Sequence, residues 1–181
     1  ALSLIGYEGV IINGSGYNSV INIEADSVLI QGLEIIGDTL TTSGIIVQPG
    51  SDYVTLKNNI IHGMHLPNQS SPLLASYGIL SYGDSSPIAP PKNLVIDNNE
   101  IYNINAFGIS LGSLSDSVFI TNNYIHDIER IDLSTYGYDE ELSVGIIAQL
   151  GGWIEVENNS FSNVLMASSL YYSYGVLSNN N

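Results

Sequence analysis

Short apolar runs, each closed by a pair of asparagines, recur along this chain. Tyr53-Val54-Thr55-Leu56 precedes Asn58-Asn59, and Leu94-Val95-Ile96 precedes Asn98-Asn99. Val118-Phe119-Ile120 and Trp153-Ile154-Glu155-Val156 stand in the same place before Asn122-Asn123 and Asn158-Asn159. A second short apolar run follows each pair. Further on comes a glycine with a β-branched run, at Gly44, Gly78, Gly108, Gly145 and Gly175. Ser27 to Ile35 reads as the same unit with Gln31-Gly32 in the place of the pair, and a weaker copy runs from Val10 to Ile23. No segment keeps the 3.6-residue apolar period of a helix, so each repeat predicts three short strands.

The shortest full unit runs from Asn98 to Asn122, within the ~20–50-residue periods that mark solenoids, propellers and arrays. A propeller blade needs four strands and about twice this length. The reading is therefore an all-β, parallel β-solenoid of about six to seven coils in a single domain over residues 1–181. Equivalent residues of successive coils then lie ~4.8 Å apart. Asparagine tolerates the left-handed conformation of a sharp corner, and its amide can bond to the amides above and below. This predicts a ladder of Asn58, Asn98, Asn122 and Asn158, with glycine performing the conformational task at another corner.

These units resemble the right-handed parallel β-helix family, in particular the pectin-lyase-like, NosD-like surface proteins in which NxVIxNNxIxN recurs. The opening SLIGYEGVIINGSG is similar to the coils that follow the usual N-terminal cap of such proteins. The resemblance implies the fold along the whole chain, read as a segment or processed form without that cap. It says little about function, because lyases, hydrolases, epimerases, adhesins and scaffolds share the architecture. The NosD name carries an association with copper, to which two methionines and no cysteine give little support.

Spacing says where a site belongs. From each glycine to the next pair the length is nearly constant, apart from an insertion around Gly83 to Pro91; from each pair to the next glycine it varies widely. Insertions should therefore line up mostly along one corner, the usual binding edge of a repeat protein. The longest, Asp127 to Glu141, holds a third of the chain's 18 acidic side chains. Asp127, Glu129, Asp132, Asp139, Glu140 and Glu141 are candidate calcium ligands, since a hard cation takes oxygen donors. A solvated acidic loop, with Arg130 paired to a neighbour, is the plainer reading. Tyr77, Tyr82, Tyr136, Tyr138, Tyr172 and Tyr174 are candidate glycan contacts, apolar platforms with polar edges. His62 and His126 share one repeat position, occupied by Tyr102 in the intervening copy. Two coils apart, they are too distant to share a metal, and they read as structural.

Charge narrows the partners. Lys57, Lys92 and Arg130 are the only basic residues against a net charge of −15, which excludes nucleic acid and anionic membrane. No apolar run reaches membrane-spanning length. Sequons at Asn13, Asn68 and Asn158 are compatible with secretion. The resemblance implies Arg or Lys bases for lyases and NTD, DD, GHG and RIK segments for hydrolases. Three scattered basic residues and the absence of those segments lean against an enzyme. The leading expectation is an extracellular or cell-surface structural β-helix that requires no cofactor and stacks with copies of itself through open solenoid ends. The alternative is a β-helix that binds or processes neutral or cell-wall glycans along the insertion edge.

Overall fold

A computed structural model describes residues 1–7, 9–65, 75–81, 89–112, 115–132, 141–149, 151–171 and 173–181. The described strands stack in parallel on three faces. The first face holds β1 (Leu2–Ile5), β4 (Val28–Gln31), β7 (Thr55–Lys57), β10 (Val95–Asp97), β12 (Val118–Thr121), β17 (Trp153–Glu157) and β20 (Tyr174–Ser178). The second holds β2 (Ile11–Asn13), β5 (Glu34–Ile36), β8 (Ile60–His62), the start of β11 (Glu100–Leu111), β13 (Tyr124–Glu129) and β18 (Ser160–Ser162). On the third lie β3 (Ser19–Ile23), β6 (Ser43–Val47), β9 (Ser76–Ser81), the end of β11, β16 (Val144–Gln149) and β19 (Met166–Tyr171). One antiparallel pair, β14 (Ile131–Asp132) with β15 (Glu141–Leu142), stands outside the stack in the long insertion.

Alternation along each strand turns every second side chain inward, and the register piles like on like. Ile30, Leu56, Ile96, Ile120 and Val156 form one inward column. Ile35, Ile61, Ile101 and Ile125 form the next, and Ile45, Ile79, Ile109 and Ile146 a third. All are buried. Transfer of each such side chain out of water contributes ~1.5–3 kcal/mol. In the first and last described coils, core-facing Leu2 and Leu177 are 63% and 55% exposed.

Each corner is turned by a residue with left-handed backbone. At the first corner, between the first and second faces, these are Gly32, Asn58, Asn98, Asn122, Asn158 and Asn179. At the second they are Gly63, Asn103, Asp127 and Asn163, and at the third Ser27, Tyr53, Asn93 and Ser117.

The asparagine pair divides two tasks that the sequence reading assigned to one residue. The first member turns the chain; the buried ladder runs through the second. Asn59 donates its N–H and Nδ2–H to Oδ1 of Asn99, both at 3.0 Å. Asn99 does the same to Asn123, Asn123 to Asn159, and Asn159 to Asn180. Each Nδ2 also reaches back to the preceding coil, as from Asn99 to Leu56 O at 3.0 Å. Of the expected ladder, Asn58, Asn98, Asn122 and Asn158, one side-chain link is present, Asn98 to Asn58 at 2.8 Å. The physical reason is direction: the left-handed residue points outward, and the next one points beneath the corner, where amides must be satisfied internally.

Three further differences follow from register. Gly32-Leu33, not Gln31-Gly32, occupies the place of the pair, because Gln31 pairs with Lys57. Asn179-Asn180 is a fifth pair, since Ser178 pairs with Glu157. Gly175 belongs to the first face, opposite Ile154, whereas Gly44, Gly78, Gly108 and Gly145 line the third. Those four are not at left-handed positions. They are glycines for space: a Cβ on Gly108 would lie 2.6 Å from Gly145 O and 2.7 Å from Ile125 Cγ2. The strand β11 is longer than the predicted short strands because the connection from Asn98 to Gly108 carries no insertion. It rounds the second corner at Asn103 and Ala106, both with positive φ.

Candidate functional site

The outer side of the second face carries the densest chemistry among the described residues. Inward Ile61, Ile101 and Ile125 force their flanking residues outward, so His62, Tyr102 and His126 fall in one outward column. Their rings stack, with centroids 4.7 Å apart between His62 and Tyr102 and 4.9 Å apart between Tyr102 and His126. Tyr124 lies against His126 at 4.3 Å. Carboxylates fasten the column: Glu34 Oε1 is 3.1 Å from His62 Nε2, and Glu100 Oε1 is 3.2 Å from His126 Nε2. His126 Nδ1 faces Asp127 Oδ2 at 2.7 Å, and Asn163 Nδ2 donates to Asp127 Oδ1 at 2.7 Å. The Asn163 bond, then that of His126, holds the Asp127 carboxyl below its ordinary range. Burial, reinforced by Glu100 and Glu34, raises Tyr102, which keeps its hydroxyl proton.

The strip runs into a concavity of about 490 Å³ at the second corner. Asp127 and Asn163 belong to both, and Asn103, Arg130, Ser143 and Leu165 complete its walls. The result is a surface of stacked rings edged by hydrogen-bonding groups, leading to a polar hollow beside the long insertion.

Among the described candidate calcium ligands, Asp127, Glu129 and Glu141 each face a different partner. Asp127 serves the strip. Glu129 pairs with His65 at 3.2 Å, and Glu141 with Arg130 at 2.6 Å. Asp132 lies in the β14 strand, and Asp139 and Glu140 fall outside the described residues. No three His, Asp or Glu side chains converge as a metal site among the described residues.

Of the candidate tyrosines, the two described, Tyr77 and Tyr174, lie on different faces. Tyr77 stacks on Phe107 on the third face, with centroids 5.3 Å apart, and Tyr174 is 77% exposed at the end of the first. Tyr82, Tyr136, Tyr138 and Tyr172 lie outside the described residues. The basic residues sit apart: Lys57 is 2.9 Å from Asp97 at the end of a first-face strand, Lys92 is at the third corner and Arg130 at the second. The sequence reading passed over Tyr102 and Tyr124 as ligand contacts. Its signal was the shared repeat position of His62, Tyr102 and His126, which defines the column.

A family model described as a right handed beta helix region matches residues 43–181. Among solved structures, the chain is similar to a "putative glycosyl hydrolase" from Parabacteroides merdae, at 11% identity and a TM-score of 0.62, over 96% of this chain and 82% of that one. It is also similar to the A-module of the mannuronan C-5 epimerase AlgE6 of Azotobacter vinelandii, at 12% identity and a TM-score of 0.49, over 98% and 56% of the two chains. PfbA, a surface adhesin of Streptococcus pneumoniae, is 13% identical with a TM-score of 0.44, over 86% of this chain and 36% of that one. At such identities the likeness is one of fold. No curated protein matches the sequence.

Proposed function

This chain belongs to the right-handed parallel β-helix family, and from that premise we propose that it is an extracellular or cell-surface β-helix that binds polysaccharide along the outer side of its second face. The observation that carries the reading is the His62–Tyr102–His126 stack, which runs along the solenoid axis into the hollow at Asp127 and Asn163. Sugar rings bury apolar C–H faces on aromatic rings while their hydroxyls bond to polar edges. Glu34, Glu100 and Asp127 supply acceptors, and the Tyr102 hydroxyl supplies a donor. With a net charge of −15, the protein favours a neutral chain over a polyanionic one. The test is affinity electrophoresis through gels containing β-glucan, xylan, mannan or polygalacturonate. Retardation by at least one neutral polymer, weakened about fivefold in Tyr102→Ala, is expected. Retardation by polygalacturonate alone, or binding indifferent to Tyr102, would contradict the proposal. Release of reducing or unsaturated ends in the same mixtures would extend it from binding to processing.

A further inference from the structure

A sequon, Asn13-Gly14-Ser15, lies on the outer side of the second face. Asn13 pairs with Ile36, Ile36 with His62 and His62 with Tyr102. Its side chain therefore falls in the outward column of the ring stack, two coils or ~9.6 Å from His62. Asn13 and Ser15 are both exposed. Asn13 Oδ1 accepts the Ser15 N–H at 2.9 Å, which closes the three residues into an Asx-turn. Tyr17 N–H donates to Gly14 O at 3.0 Å and bends the chain onward, and Ser15 Oγ donates to Asp38 Oδ2 at 2.5 Å. With Oδ1 engaged, Asn13 Nδ2 has no hydrogen-bond partner among the described residues.

The sequon at the first corner is built differently. Asn158 is also exposed, but the residue between it and Ser160 is the buried Asn159, bonded through Nδ2 to Ile120 O and Asn180 Oδ1. Ser160 N–H donates to Asn123 O at 2.8 Å and opens the β18 strand, so it is not available to Asn158 Oδ1. Lifting Asn158 and Ser160 together into an enzyme would orphan buried amides of the ladder. Asn68 lies outside the described residues.

We propose that Asn13 is an N-glycosylation site which the folded chain presents to an oligosaccharyltransferase, and that Asn158 is not. In the transfer, Asn13 Nδ2 forms a bond to C1 of the first sugar of a polyprenyl-diphosphate-linked oligosaccharide. The C1–O bond to the diphosphate breaks, the polyprenyl diphosphate leaves with the electron pair, and Nδ2 gives up one proton to a base of the enzyme. The Ser15 oxygen keeps its lone pairs after donating to Asp38, and is the acceptor by which the enzyme reads the sequon. Encounter with that enzyme rests on the extracellular reading above; the geometry of the turn does not. A glycan rooted at Asn13 would stand at one end of the ring stack, in line with His62 and Tyr102.

The test offers the purified folded protein, and separately two free peptides spanning the Asn13 and Asn158 sequons, to a single-subunit oligosaccharyltransferase with its lipid-linked donor. Mass spectrometry reads occupancy over time. Both peptides are expected to be modified, and the folded protein at Asn13 at a rate near that of its peptide. Asn158 in the folded protein should react at least ~10-fold more slowly than its own peptide, because opening the ladder exposes buried hydrogen-bonding groups. Ser15→Thr should keep the modification of Asn13. Absence of transfer to Asn13, in peptide or in folded protein, or modification of folded Asn158 at its peptide's rate, would overturn the proposal. Retardation of the unglycosylated Asn13→Gln protein by neutral polysaccharide reads the strip independently, so failure here and failure of the proposed function are told apart.

Discussion

The first and second corners of this solenoid are turned by the same backbone device and put to different use. Both place a left-handed residue in each central coil, asparagine or aspartate where it is not glycine. At the first corner, nothing else is added. From Asn58-Asn59 to Asn179-Asn180 the chain turns within one pair, and the second amide is sealed into a continuous ladder. At the second corner every coil differs. A bend fastened by Asp38, the connection from Gly63 to Ala75, the uninterrupted β11 strand and the long acidic insertion follow one another. Uniformity lets a ladder form, since an amide can bond to its copy only if the copy is in register. Variation forfeits the ladder and leaves a hollow and two buried polar atoms without partners in its place. One corner holds the stack; the other meets the outside.

The most severe way to break this contrast is to cut the ladder. Asn99→Ala removes the acceptor of Asn59 N–H and Nδ2–H and the donor to Leu56 O. Each buried orphan costs ~1–3 kcal/mol, so the urea midpoint should fall by an amount equivalent to ~3 kcal/mol or more at unchanged slope. The outward Asn98→Ala should cost much less. Gly108→Ala comes next. It overpacks the third face just past the second corner, against Gly145 O and Ile125, and should cost ~1–3 kcal/mol in the same assay. Tyr102→Ala sharpens the functional side. Loss of one stacking ring, worth ~1 kcal/mol, should weaken glycan binding about fivefold in the retardation assay while the melting temperature moves little.

The smallest effect concerns the loop around Asp38. Ser15 Oγ, its main support, and the N–H groups of Leu40 and Gly16 donate to the carboxylate, which lowers its pKa from 3.8 to about 2. A depressed folded-state pKa means a contribution that is present above the unfolded value and lost as pH falls through the folded one. Acid titration of stability between pH 3.8 and about 2 should therefore be shallower in Asp38→Asn.

The stack was legible in the sequence because its cause is periodic. Apolar alternation and a repeated Asn-Asn fix strands, corners and coil length together. The assignment within the pair was not legible, because turning the chain and bonding between coils both favour asparagine, and only the direction of the side chain separates them. Gly175 misled for a similar reason: a glycine before a β-branched run suits two faces of the same coil. The site was half visible. The shared position of His62, Tyr102 and His126 could be read by aligning repeats, but the approach of Glu100, Asp127 and Asn163 depends on how strands of unequal spacing stack. His65 and Asn105 also share a repeat position, seven residues after Asn58 and Asn98, but nothing in the sequence shows that each keeps a buried polar atom without a partner.

Residue-resolved amide hydrogen exchange addresses the division between the corners most directly. The N–H groups of Asn59, Asn99 and Asn123, each held by the amide of the next coil, should exchange only through global unfolding and be among the slowest in the protein. Those of Gly63, Asn103 and Asp127 should open locally and faster. Equal protection at the two corners, or faster exchange along the asparagine column, would contradict the account.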